Sequence, residues 1–75
     1  MVFELLRNML AESLGCDESE ITGGSELRYE LGLSDAELEQ IMDAMSGELG
    51  FRYRASDLED VNTVADLVRY IADLV

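Results

Sequence analysis

The chain has 75 residues, of which 17 are acidic and five are arginine; with no lysine and no histidine, its formal net charge is −12. A chain of this length forms one small domain, residues 1–75, with a modest core. The charge argues against nucleic-acid binding, because contacts with phosphates need a cationic patch. It favours partners that present a basic docking surface, although solubility alone is a competing explanation of the charge.

The missing residue types exclude several classes of site. Without histidine, a Cys–His pair and a histidine-containing metal site are impossible, and Cys16 has no partner for an intramolecular disulfide. No carboxylate pair has a spacing that demands acid–base catalysis. No apolar run is long enough to span a bilayer, and Glu4 and Arg7 interrupt the only stretch that resembles a secretory signal. We therefore expect a monomeric, cytoplasmic protein that is not an enzyme and binds no metal.

The first half of the chain predicts one helix followed by a long loop. Apolar residues recur on one helical face from Val2 to Leu14, and Gly15 then supplies the residue type best suited to a left-handed C-cap. Residues 16–33 lose this period and include the flexible run Thr22-Gly23-Gly24-Ser25. Because a long loop in a small domain needs anchors, we expect Leu27 and Leu31 to pin it to the core.

A second helix is predicted from Asp35 to about Glu48. Ser34 is a favourable N-cap, Glu37 completes the S-x-x-E capping box, and the negative charge of Asp35 suits the first turn of a helix. One apolar stripe follows at helical spacing, formed by Leu38, Ile41, Met42, Met45 and Leu49. Gly47 and Gly50 are predicted to bracket the end of this helix.

The last third of the chain predicts a connector and two further helices. Residues 51–54 alternate apolar and basic, which indicates an extended connector with its two aromatic rings facing inward. Ser56 or Asp57 is predicted to cap one short helical turn that reaches Asp60, and Thr63 to open the final helix. Together, these elements predict an all-α fold: a small four-helix bundle of three main helices and one short helix, with the long loop between helices one and two.

Several short motifs occur in a fixed order along the chain. They are Leu14-Gly15, Glu30-Leu31-Gly32-Leu33, Glu48-Leu49-Gly50-Phe51, Asp57-Leu58-Glu59-Asp60-Val61, Thr63-Val64 and Arg69-Tyr70-Ile71. As an ordered set they resemble the acyl carrier proteins and related phosphopantetheine carriers over essentially the whole length. The resemblance implies a bundle of acyl-carrier type, a phosphopantetheine group, and no catalysis of its own. It also implies service to enzymes of fatty acid, polyketide or related biosynthesis that load, modify and unload acyl groups.

The resemblance also implies a site at the start of the second helix. The family's modified serine lies in an Asp-Ser-Leu motif there, and the matching positions in this chain read Ser34-Asp35-Ala36. Asp35 therefore stands at the attachment position, where a carboxylate cannot replace the hydroxyl that receives phosphopantetheine. Equally, an acidic residue is favoured in a first helical turn without any further role.

Three interpretations of this site remain open. Ser34, the only nearby candidate acceptor, is loaded although it is displaced by one residue; or the protein is an unmodified carrier-like module that only docks; or it is a true carrier whose serine was replaced. A plain acidic interaction module outside carrier chemistry is a further alternative. For docking on basic faces of acyl-transferring enzymes, or on a phosphopantetheinyl transferase, the second helix offers Glu37, Glu39, Asp43 and Glu48.

Overall fold

A computed structural model describes residues 2–75, which form three α-helices and two short 3₁₀ helices. In chain order these are α1 (Val2–Leu14), the first 3₁₀ helix (Glu18–Glu20), α2 (Asp35–Leu49), the second 3₁₀ helix (Ala55–Asp60) and α3 (Val64–Leu74). The predicted all-α fold with three main helices and a short one before the last is confirmed. Within these residues no helix is long and apolar enough to cross a bilayer.

The core is almost entirely aliphatic and draws on all three α-helices. α1 packs against both α2 and α3. The fully buried helical side chains are Leu6, Leu10, Leu38, Met42, Met45, Val64, Leu67 and Ile71. Burying one Leu, Met or Ile side chain contributes about 1.5–3 kcal/mol, so the methionines of α2 are core residues that stabilise the bundle.

The long loop between α1 and α2 is fastened to the start of α3. The Leu27 N–H donates to the Asn62 carbonyl oxygen at 2.8 Å, and the Val64 N–H donates to the Ser25 carbonyl oxygen at 3.0 Å. The Leu27 side chain is fully buried, as predicted, whereas Leu31 is only partly buried. Backbone pairing and several apolar side chains therefore hold this loop in place; those buried in the core or packed against it include Ile21, Leu27, Leu31 and Leu33.

The end of α2 differs from the sequence prediction. Gly47 lies inside the helix, which continues to Leu49, so the prediction that Gly47 helps to end it was wrong. Gly50 alone ends α2: it is left-handed, with φ of 72°, and its N–H donates to the Ser46 carbonyl oxygen at 2.8 Å. Glycine suits this conformation because it has no Cβ.

The start of the second 3₁₀ helix also differs from the prediction. The helix begins at Ala55, so Ser56 and Asp57 lie inside it and neither is its N-cap. The Asp57 N–H instead donates to the Arg54 carbonyl oxygen at 3.0 Å. The Asp57 carboxylate is engaged elsewhere, since it accepts a hydrogen bond from the Tyr70 hydroxyl at 2.8 Å.

Tyr53 ties the extended connector to α2. Phe51 is buried and Tyr53 is partly buried, which confirms that both rings face inward. The Tyr53 hydroxyl donates to Asp43 Oδ1 at 2.6 Å. Burial of the phenol, and then the hydrogen bond to Asp43, raise the pKa of Tyr53 to about 12.

Gly47, inside α2, and Gly50, at its C-cap, give a matched pair of stability variants. A Cβ would meet open space at both positions, and only Gly50 has a positive φ. We expect Gly47→Ala to raise the free energy of unfolding by about 0.5–1 kcal/mol, because alanine is the better helix former. Gly50→Ala should lower it by about 1–2 kcal/mol, because alanine is strained in the left-handed region. Urea unfolding followed by circular dichroism measures both, and equal effects of one sign would contradict this assignment.

The Tyr53–Asp43 hydrogen bond predicts a loss of stability at high pH. Tyr53 has a pKa of about 12 in the folded chain against 10.0 ordinarily, so its contribution is complete below pH 10 and is lost as the pH rises towards 12. Because the chain has no lysine, no lysine ammonium contributes to the change in stability over this pH range. Urea unfolding at a series of pH values should show the decline, and Tyr53→Phe should make it shallower. An unchanged decline in Tyr53→Phe would assign the loss to other groups.

Candidate functional site at the start of α2

Ser34 is the N-cap of α2, and its side chain is engaged in capping. The Glu37 N–H donates to Ser34 Oγ at 3.1 Å, and the Ser34 N–H donates to Glu37 Oε1 at 3.0 Å, so the predicted capping box is confirmed. The hydrogen bond from the Ser34 backbone, with a smaller effect of its side chain, lowers the pKa of Glu37. Glu37 is therefore a structural partner of Ser34 as well as an exposed acid.

Asp35 is the first residue of α2 and forms an ion pair with Arg28 in the preceding loop. The Arg28 Nε–H donates to Asp35 Oδ1 at 3.0 Å. The Asp35 side chain remains 83% exposed, whereas that of Arg28 is 28% exposed. An ion pair with one partner in solvent contributes at most about 1 kcal/mol, so the pair orients Asp35 more than it stabilises the fold.

Arg28 makes two further hydrogen bonds, both to the second 3₁₀ helix and its end. One terminal nitrogen donates to the Val61 carbonyl oxygen at 2.7 Å and the other to the Leu58 carbonyl oxygen at 2.8 Å. The Leu58 oxygen also accepts from the Val61 N–H at 3.2 Å, so Arg28 adds a second, charged donor there. A cation is favourable at the carbonyl oxygens where a helix ends. Through this one guanidinium, the first turn of α2 is joined to the second 3₁₀ helix.

A shallow groove separates these two elements. Its lining residues are Arg28, Asp35, Leu38, Glu39, Ala55, Ser56, Leu58 and Glu59. The groove has a volume of about 230 Å³, below the roughly 300–1,000 Å³ that encloses a small-molecule ligand. It therefore offers space for a short group or for one side chain of a partner.

The four predicted docking acids all lie on α2 and are all exposed, but the structure does not bring them to one point. Glu39 shares the groove with Asp35, and Glu37 belongs to the capping box. Asp43 accepts the Tyr53 hydrogen bond, and Glu48 lies thirteen residues beyond Asp35, which is about 20 Å along the helix. At about 100° per residue, Glu37 and Glu48 lie on one flank of α2 and Glu39 and Asp43 on the other, so the acids are spread around its exposed surface and do not form one face.

The start of α2 does not fit phosphopantetheine at Asp35. Attachment needs a side-chain hydroxyl, and Asp35 offers a carboxylate that already accepts from Arg28. Ser34 does carry an exposed hydroxyl, and its oxygen accepts the Glu37 N–H of the cap. In residues 2–75 no group of three or more His, Cys, Asp or Glu side chains is arranged to hold a metal ion.

Sequence reasoning missed two residues at this site, Arg28 and Ser56. Arg28 is the only cation between Arg7 and Arg52, which was the one available signal. Its carbonyl acceptors lie 30 and 33 residues further along the chain, a separation that no local motif reveals. Ser56 was expected to cap a helix, and it lines the groove instead.

Comparison with known proteins gives consistent matches over nearly the whole chain. A family model described as the phosphopantetheine attachment site matches residues 4–71. An acyl carrier protein of Saccharopolyspora erythraea is 35% identical over 74 residues, which is 99% of this chain and 78% of that protein. An acyl carrier protein of Thermotoga maritima is 33% identical over 70 residues, which is 93% of this chain and 86% of that protein.

The three bonds of Arg28 predict unequal effects of removing either member of its ion pair. Arg28→Ala should lower the free energy of unfolding by about 2 kcal/mol, because it leaves two partly buried carbonyl oxygens without their charged donor. Asp35→Asn should change it by less than about 0.5 kcal/mol, because the lost pair is exposed. Urea unfolding at low and high salt measures both. Equal losses in the two variants would show that the ion pair, and not the carbonyl contacts, carries the stabilisation.

Proposed function

The chain belongs to the acyl carrier protein and phosphopantetheine carrier family, and we propose that it docks on acyl-transferring or biosynthetic enzymes without carrying phosphopantetheine at the family's usual position. In this proposal it has no catalytic activity of its own. It serves fatty acid, polyketide or a related biosynthesis by presenting α2 and the preceding loop to its partners.

The observation that carries the proposal is the identity and bonding of Asp35. The spacing from Leu31-Gly32 places Asp35 where the family's serine is expected, and Asp35 is the first residue of α2. Phosphopantetheine, when bound, supplies a thiol that holds acyl groups as thioesters. A carboxylate paired with Arg28 offers no hydroxyl for its attachment.

The charge of the molecule supports the docking part of the proposal. The exposed acids of α2, Glu37, Glu39, Asp43 and Glu48, face solvent on a molecule with a net charge of −12. The electrostatic field of this charge accelerates and orients association with a basic surface on a partner enzyme. A phosphopantetheinyl transferase is one such partner. The same charge disfavours self-association, which supports a monomer. We also assign the protein to the cytoplasm.

Loading on Ser34 is the second candidate, because its hydroxyl is exposed beside Asp35. Two features weigh against it. The Ser34 oxygen is engaged by the cap, and one step along a helix rotates a side chain by about 100°, away from the pose that a loading enzyme expects at the next residue. A docking module that never meets carrier enzymes is the remaining alternative.

Intact-mass measurement after incubation with coenzyme A and a broad-specificity phosphopantetheinyl transferase tests the proposal. We expect no mass increase for the native chain, because Asp35 has no hydroxyl. We expect a mass increase of one phosphopantetheine for Asp35→Ser, because the fold is that of the carrier family.

The matched control is Ser34→Asn, in which asparagine keeps an N-cap oxygen without a hydroxyl. Loading of the native chain that disappears in Ser34→Asn would replace the proposal with the displaced-serine carrier. An unloaded Asp35→Ser variant with native stability would favour the docking module outside carrier chemistry.

A further inference from the structure

Tyr29 is the aromatic residue that the fold leaves out of its core. Its exposed fraction is 88%. The other four aromatic residues, Phe3, Phe51, Tyr53 and Tyr70, are buried or pack against the core. The hydroxyls of Tyr53 and Tyr70 both donate to carboxylates, whereas Tyr29 makes no side-chain hydrogen bond within residues 2–75. Nothing inside the described part of the fold therefore uses this ring.

The chain on both sides of Tyr29 is held by hydrogen bonds. The N–H groups of Glu30 and Leu31 both donate to the Glu26 carbonyl oxygen, at 3.1 and 3.0 Å, which closes a turn around Tyr29. On the preceding side, Arg28 is fixed by its three hydrogen bonds. An aromatic ring presented on a fixed backbone loses little conformational freedom when it binds, so more of its contact energy appears as affinity.

The position of Tyr29 connects it to the start of α2. It follows Arg28, which contacts Asp35 in the first turn of that helix. Exposed acids flank Tyr29 in the sequence, namely Glu26 and Glu30, and the neighbouring Arg28 is paired with the exposed Asp35. An exposed aromatic residue in an acidic segment is complementary to an apolar pocket with lysine and arginine at its rim.

We propose that Tyr29 is the aromatic anchor of the docking surface at the start of α2, and that it inserts into an apolar pocket, rimmed by basic side chains, on a carrier-binding enzyme. This inference rests on the docking role proposed above and names the chemistry of the partner. Tyrosine is enriched among the few residues that dominate interface energies, and the surrounding acids act mainly through orientation and association rate.

Equilibrium binding to an immobilised broad-specificity phosphopantetheinyl transferase, without coenzyme A, tests the anchor in the native chain. Tyr29→Ala should weaken the Kd by about tenfold or more, the size expected when an interface anchor is truncated. Tyr29→Phe should stay within about threefold of the native Kd, because it keeps the ring. Val75→Ala removes apolar surface from another exposed residue and should have no effect. Urea midpoints equal to native would show that the variants fold.

The outcomes separate the anchor from the docking role. If Tyr29→Ala binds like the native chain while Glu39→Gln weakens binding, the anchor role of Tyr29 is contradicted and the docking role of α2 is supported. If neither variant changes the Kd, or if the native chain does not bind, the anchor and the docking surface are both contradicted. The mass increase of Asp35→Ser is read out independently of either result.

Discussion

The guanidinium of Arg28 is the contact on which the geometry of the candidate site depends. It belongs to the loop before α2, and it reaches both Asp35 at the helix start and two carbonyl oxygens of the second 3₁₀ helix. These three segments are held together there by one side-chain-to-side-chain bond, to Asp35, and two side-chain-to-backbone bonds, to Val61 and Leu58. The relative position of these segments, and with it the groove and the Asp35 carboxylate, therefore depends on one planar group with a fixed set of donors.

Several acidic residues have structural roles inside the fold that the net charge does not reveal. Glu37 and Asp66 complete the capping boxes of α2 and α3, and Asp43 and Asp57 accept hydrogen bonds from tyrosine hydroxyls. Hydrogen bonds to the backbone of Thr63 and Asn62 lower the pKa of Asp66 despite its partial burial. Acids that cap helices or fix aromatic rings stabilise the bundle. The carboxylates of acids such as Glu39 and Glu48 make no hydrogen bond or ion pair within residues 2–75, and they contribute to the negative potential around the molecule.

Local features of the fold could be predicted from the sequence, and contacts between distant segments could not. The α2 and α3 caps depend on residues three positions apart, so Ser34 with Glu37 and Thr63 with Asp66 are visible as patterns. Arg28 with Leu58, or Tyr53 with Asp43, joins residues whose proximity exists only after the helices pack. Gly47 was misjudged for a different reason: helical packing and hydrogen bonding override the weak propensity of one residue.

The fastening of the long loop to the start of α3 has a consequence for how the molecule folds. Leu27 and Ser25 find their backbone partners at Asn62 and Val64, near the other end of the chain. The loop cannot take its shape until α3 is in place, and Arg28 and the first turn of α2 cannot be positioned until the loop has its shape. The site is thus completed only when α3 joins the bundle, so chains that stop before α3 lack it and folding is expected to be all-or-none.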